Sequence, residues 1–128
     1  MKIDHIAIWT KDLEKMRKFY TQFFGAKSSD MYHNRKKNFS SYFISFESGT
    51  RIELMHNPDI FDAAEKVGLR AGLTHLAVSV GSRDMVNTLT EKARDNGYEI
   101  LGEPRVTGDG YYESVIADPE VNRIELTE

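Results

Sequence analysis

No cysteine occurs in the 128 residues of this chain. That excludes a disulfide framework and thiolate chemistry, and it is compatible with the cytoplasm, where the protein is expected. Basic residues do not predominate: Lys plus Arg number 17 against 20 for Asp plus Glu, and the formal net charge is −3. Such a balance gives no reason to expect nucleic acid as a partner. No apolar run approaches the ~20 residues that span a membrane, so none is expected there either. The opening MKIDHIAIWTKD lacks the longer apolar stretch and small-residue cleavage site of a signal peptide and reads as a first strand. What is present, 40% hydrophobic and 29% charged residues, suits a globular protein and not a disordered one. The length fits one domain with one core of ordinary size.

The chain repeats itself. Arg51-Ile52-Glu53-Leu54 recurs as Arg123-Ile124-Glu125-Leu126, 72 positions on. His5-Ile6-Ala7-Ile8 is echoed by His75-Leu76-Ala77-Val78, at an offset of 70. Around these pairs the pattern of elements also repeats. Residues 3–9 alternate as a strand does. Asp12 is placed to cap a helix running to residue 24, with Leu13, Met16, Tyr20 and Phe23 on one face and Gly25 at its end. Strands are expected near 27–32, 40–46 and 51–55. The second half gives a strand at 74–80 and a helix at 84–96. That helix carries Met85, Leu89 and Ala93 on one face and is followed by Gly97. Strands near 98–102, 111–117 and 122–127 complete it. Each half is β-α-β-β-β. Module one is 1–57 and module two 73–128; the linker, 58–72, is expected to hold a short helix around 60–67.

Side-chain direction decides what the repeat is for. Residues two apart on a strand share a side. His5, Glu53, His75 and Glu125 all oppose the aliphatic residues of their strands: Ile6 and Ile8, Ile52 and Leu54, Leu76 and Val78, Ile124 and Leu126. Helices can pack on the aliphatic side, leaving the His and Glu residues on the other face. A lone His or Glu on a strand is usually solvated or structural. Four coincidences of residue type, face and repeat position call for a shared cause. Two His and two Glu are a ligand set for a divalent metal, with Zn²⁺, Ni²⁺, Co²⁺, Mn²⁺ and Fe²⁺ all accepting N/O donors.

These features resemble the vicinal oxygen chelate superfamily, which includes glyoxalase I, bleomycin-resistance proteins and dioxygenases. The resemblance covers nearly the whole chain. The segment Asp118-Pro119-Glu120-Val121-Asn122-Arg123-Ile124-Glu125-Leu126 is similar to the family's D-P-[DE]-G-N-x-[IV]-E-L hairpin, with Val121 in place of the usual Gly. The resemblance implies an α+β fold of two paired βαβββ modules forming a half-open barrel around a metal. It also implies a small-molecule substrate and a homodimer, with modules paired within one chain or across two. Two His with two Glu look most like glyoxalase I. That enzyme acts on the hemithioacetal of a 2-oxoaldehyde and a thiol, usually glutathione, and forms a 2-hydroxyacyl thioester through an enediolate. By the same resemblance Glu125 is the main base, Glu53 its mirror partner, and His5 and His75 are ligands only.

The thiol-binding positions match less well. Where the family places an Arg four residues after the first ligand, this chain has Trp9. Asn57 stands at the family's spacing after the first Glu. Arg70 lies one residue out of register with an Arg that precedes the second His by four. Another thiol, or another metal-chelating substrate, is therefore as open as glutathione. Trp9 has two readings: a cleft wall for an apolar or aromatic substrate, or a packing residue. Arg35-Lys36-Lys37 and the loop Thr107-Gly108-Asp109-Gly110 read as a solvated turn and a hairpin connection. His33 and His56, outside the repeat, read as ordinary. The alternatives to a glyoxalase I-like reaction are another metal enzyme of the superfamily (an epimerase, a fosfomycin-type thiol transferase, a dioxygenase) and a non-catalytic small-molecule binder.

Overall fold

The structure is a computed structural model, and its described residues are 2–61, 72–108 and 110–128. The expected helix around 60–67 falls almost wholly outside them; Ile60 and Phe61 are not helical. The chain divides into two compact units, Met1–Lys66 and Val67–Glu128.

The first unit runs β1 (His5–Trp9), α1 (Leu13–Lys18), a π-helical turn (Phe19–Phe23), β2 (Lys27–Ser28), β3 (Tyr32–Asn34), β4 (Phe39–Ser45) and β5 (Arg51–His56). Asp12 caps α1 as expected, its carboxylate accepting from the Lys15 amide at 2.9 Å. The single α-helix expected to residue 24 instead widens after Lys18. Aromatic crowding explains the change. In a π-turn, residues five apart come into register, and Phe19 meets Phe24 edge-on at 5.7 Å while stacking on Phe23 at 5.3 Å. Gly25 then turns the chain at φ +71. The strand expected near 27–32 is broken into β2 and β3, each pairing separately with β4. The sheet order is β1-β5-β4-β2, with β3 also on β4. Leu13, Met16, Phe19, Tyr20 and Phe23 form the core with Tyr42, Ile44, Ile52 and Leu54.

The second unit runs β6 (Leu76–Ser79), α2 (Arg83–Asp95), β7 (Ile100–Val106), β8 (Tyr112–Ala117) and β9 (Arg123–Thr127), in sheet order β6-β9-β8-β7. Ser82 caps α2 through the Met85 amide, and Gly97 follows its end at φ +76. The buried face of α2 is Val86, Leu89, Thr90 and Ala93, whereas Met85 is exposed. Leu89 and Ala93 are thus buried as expected, while Val86 takes the place expected for Met85. Thr90 sits on this apolar face because its hydroxyl is satisfied twice, by the Val86 carbonyl and the Ser114 hydroxyl, both at 2.7 Å. β7 continues past its expected end through Pro104, which is tolerated because β7 is an edge strand with irregular register.

Both units are thus helix-on-sheet arrangements of the α+β class. Their aliphatic faces are the ones expected: Ile52, Leu54, Ile124 and Leu126 are buried.

Candidate metal-binding pairs

In each unit the first strand lies parallel to the last. Ala7 pairs with Glu53 in β1–β5, and Ala77 with Glu125 in β6–β9. The sequence repeat is therefore a repeat of register. The small alanine beside each glutamate leaves room for the carboxylate to lean toward the histidine two residues earlier. The distances agree: His5 Nε2 lies 3.6 Å from Glu53 Oε2, and His75 Nε2 lies 3.5 Å from Glu125 Oε2. The two glutamate side chains are mostly covered, at 16% and 19% exposure; the histidines are about 40% exposed.

These pairs fit a divalent cation. Imidazole and carboxylate bind such ions at about 2.0–2.2 Å, so two donors on one ion stand no more than about 4.2 Å apart. Both pairs meet that limit. Among the described residues no group of three or more His, Cys, Asp or Glu side chains is arranged to hold an ion. Each unit thus offers one nitrogen and one oxygen donor.

The surroundings of the two histidines differ. Asp4 Oδ2 accepts from His5 Nδ1 at 3.0 Å and also from the Arg51 guanidinium. These bonds, that from His5 foremost, hold the Asp4 carboxyl below its ordinary pKa. Arg51 stacks over Phe43 at 4.3 Å, and the Phe43 ring stands edge-on to His5 at 5.3 Å. Sequence reading passed over Asp4, Arg51 and Phe43. The Arg-x-Glu spacing of the repeated tetrapeptide, which puts Arg51 on the face of Glu53, was the available signal.

Trp9 is 52% exposed and stands edge-on to Phe39 at 6.1 Å; Tyr32 also meets Phe39 at 6.1 Å. β1 alternates in exposure, so Trp9 shares a side with His5. Asn57 lies just beyond β5. Its side chain donates to the Lys37 carbonyl at 3.2 Å and accepts from the Asp59 amide at 2.9 Å, closing a local turn. Arg70 lies outside the described residues. His33 bonds the Ser40 hydroxyl and His56 donates to the Thr10 carbonyl, local roles in keeping with their position outside the repeat. The loop between β7 and β8 closes through Thr107, whose amide and hydroxyl both donate to the Tyr111 carbonyl.

Comparison with known proteins narrows the setting. The family model described as Glyoxalase/Bleomycin resistance protein/Dioxygenase superfamily matches residues 2–126. The uncharacterized protein YqjT of Bacillus subtilis is 28% identical over 125 residues, 95% of this chain and 94% of that one. The lactoylglutathione lyase of Escherichia coli O157:H7 is 29% identical over 132 residues, 100% of this chain and 93% of the enzyme. Among solved structures, glyoxalase I from Zea mays superposes with a TM-score of 0.79 at 23% identity. That match covers 98% of this chain but only 44% of the maize protein. A glyoxalase family protein from Enterococcus faecalis gives 0.80 at 23% identity, covering 99% and 97% of the two chains. At these identities the solved structures speak for the fold. Among the described residues no helix is long and apolar enough to cross a membrane.

Proposed function

The chain belongs to the glyoxalase/bleomycin resistance protein/dioxygenase superfamily, and from that premise we propose that it is a metal-dependent lyase of the glyoxalase I kind. Its substrate is the hemithioacetal of a 2-oxoaldehyde and a thiol, its product the 2-hydroxyacyl thioester. The observation that carries this reading is the pair of equivalent His–Glu contacts, at 3.6 and 3.5 Å, in two units of matching register. One pair supplies only two donors, too few for a firm site. The two pairs together supply the four that His5, Glu53, His75 and Glu125 represent. In this reading the two pairs share one ion, through one chain or a homodimer.

His5, Glu53, His75 and Glu125 would hold a divalent cation (Zn²⁺, Ni²⁺, Co²⁺, Mn²⁺ or Fe²⁺), which would supply Lewis-acid polarisation of the substrate oxygens. The residues themselves handle the proton. Glu125 accepts it from C1 as the C1–C2 double bond forms and the C2 carbonyl electron pair moves onto its oxygen; it then returns the proton to C2 while the C1 hydroxyl proton passes to the C2 oxygen, leaving the thioester carbonyl at C1. Glu53 holds the mirror position. His5 and His75 act as ligands only. Trp9, backed by Phe39 and Tyr32, offers an aromatic surface on the His5 side, suited to an apolar or aromatic substituent on the aldehyde. Asn57 is the remaining polar candidate toward the thiol portion, which is glutathione or another small thiol.

The test is thioester formation from methylglyoxal and phenylglyoxal with a panel of thiols, using metal-stripped protein reloaded with each cation in turn. Turnover that depends on the added cation supports the proposal. No turnover with any combination, in protein shown to bind metal, moves the chain to another reaction of the superfamily; no metal binding at all makes it a small-molecule binder.

A further inference from the structure

We propose that Asp4 is a positioning residue that fixes the tautomer of His5 and makes the His5–Glu53 pair the firmer half of the metal site. This rests on the reading of His5 as a ligand. An ionised carboxylate can only accept hydrogen bonds. Its 3.0 Å contact with His5 Nδ1 therefore puts the imidazole proton on Nδ1. Nε2 is then a lone pair, and it is Nε2 that faces Glu53. A metal-bound imidazole needs this form, and a carboxylate on its far nitrogen both orients the ring and raises its basicity.

Asp4 is itself held. Its second donor is Arg51, whose backbone amide also donates to the Asp4 carbonyl at 3.1 Å. Arg51 lies over Phe43, and Phe43 abuts the His5 ring, so Asp4, His5, Phe43 and Arg51 close a ring of contacts. Among its described residues the second unit has no counterpart. Thr74 stands where Asp4 would be, and Val115 replaces Phe43 opposite the glutamate. Among the described residues His75 Nδ1 has no hydrogen bond of this kind. The duplicated site is thus asymmetric. Unit one presents a preset imidazole. Unit two keeps a looser His75–Glu125 pair, which suits Glu125 for leaving the ion and carrying a proton.

Two measurements test this. In metal-free, ¹⁵N-labelled protein, long-range proton–nitrogen spectra report each histidine's tautomer. His5 should be the Nδ1–H form, and Asp4→Ala should shift it toward Nε2–H while Asp4→Asn, which keeps an acceptor, restores much of the parent signal. Zn²⁺ affinity, from competition with a chromophoric chelator, should fall about 10–100-fold in Asp4→Ala, with partial rescue in Asp4→Asn and no change in Thr74→Ala. Asp4 is exposed, so thermal melting serves to confirm that each variant folds. A parent that binds Zn²⁺ tightly beside an Asp4→Ala variant of equal affinity, or a His5 that stays Nδ1–H without Asp4, overturns this proposal alone. A parent that binds no Zn²⁺ overturns the metal site and this proposal with it.

Discussion

His75 Nε2 stands 3.5 Å from Glu125 Oε2, the same spacing to within 0.1 Å as His5 from Glu53. Equivalent geometry does not mean equivalent duty. Under the proposed function Glu125, whose histidine has no second carboxylate beside it among the described residues, is the proton carrier. Glu125→Gln should lower kcat by about 10²–10⁴-fold while the protein still binds metal. Glu53→Gln should cost less. Steady-state thioester formation alongside metal analysis checks this; equal losses in the two variants would assign the proton transfer to both carboxylates.

Trp9 presents an aromatic surface backed by Phe39. Trp9→Ala should raise KM for the phenylglyoxal adduct by about 2–10-fold, the worth of one aromatic contact, with little change for the methylglyoxal adduct. A uniform fall in kcat for both would mean that Trp9 packs for structure and not for substrate.

The turn before β9 carries strain. Val121 adopts φ +66, a region costly for a β-branched side chain, with its amide bonded to the Asp118 carbonyl at 2.9 Å. Val121→Gly removes a penalty of about 1–2 kcal/mol and gives back part of it through the freer unfolded chain. A net gain of about 0.5–1 kcal/mol is expected, read as a rise in melting temperature of a few degrees. A fall would show that the exposed valine makes a stabilising contact.

Tyr42 donates to Glu14 at 2.5 Å, tying β4 to α1. That bond, and then those from Arg17, hold the Glu14 carboxyl below its usual pKa. A depressed carboxyl stabilises the fold above its unfolded pKa and loses that contribution as pH falls through the folded value. Glu14 is partly exposed, so the loss in Tyr42→Phe should be no more than about 1 kcal/mol at pH 7. The gap between parent and variant should close below about pH 4. Denaturant melts at pH 7, 5 and 3.5 measure it.

The repeat and the alternation of residues made most of this architecture legible in advance. Tetrapeptides ending in Glu-Leu mark the last strand of each unit, and Ile52, Leu54, Ile124 and Leu126 are buried as alternation requires. What escaped the sequence depended on partners far along the chain. Asp4 gains its role from Arg51, which only the β1–β5 pairing brings alongside. Thr90 reads as polar until Ser114 is placed against it. One position of the α2 face was also misjudged: Met85 and Val86 are both apolar, and only docking on the sheet selects Val86 for burial. The π-turn after α1 follows from ring packing among Phe19, Phe23 and Phe24, which no linear spacing rule anticipates.

The proposed function requires His5, Glu53, His75 and Glu125 to share one metal ion. Elemental mass spectrometry on untagged protein, purified without chelator, tests it beside a Glu53→Ala/Glu125→Ala variant. About one metal ion per set of four ligands is expected in the parent and none in the variant. A metal-free parent, still empty after incubation with Zn²⁺, Ni²⁺ and Mn²⁺, would contradict it.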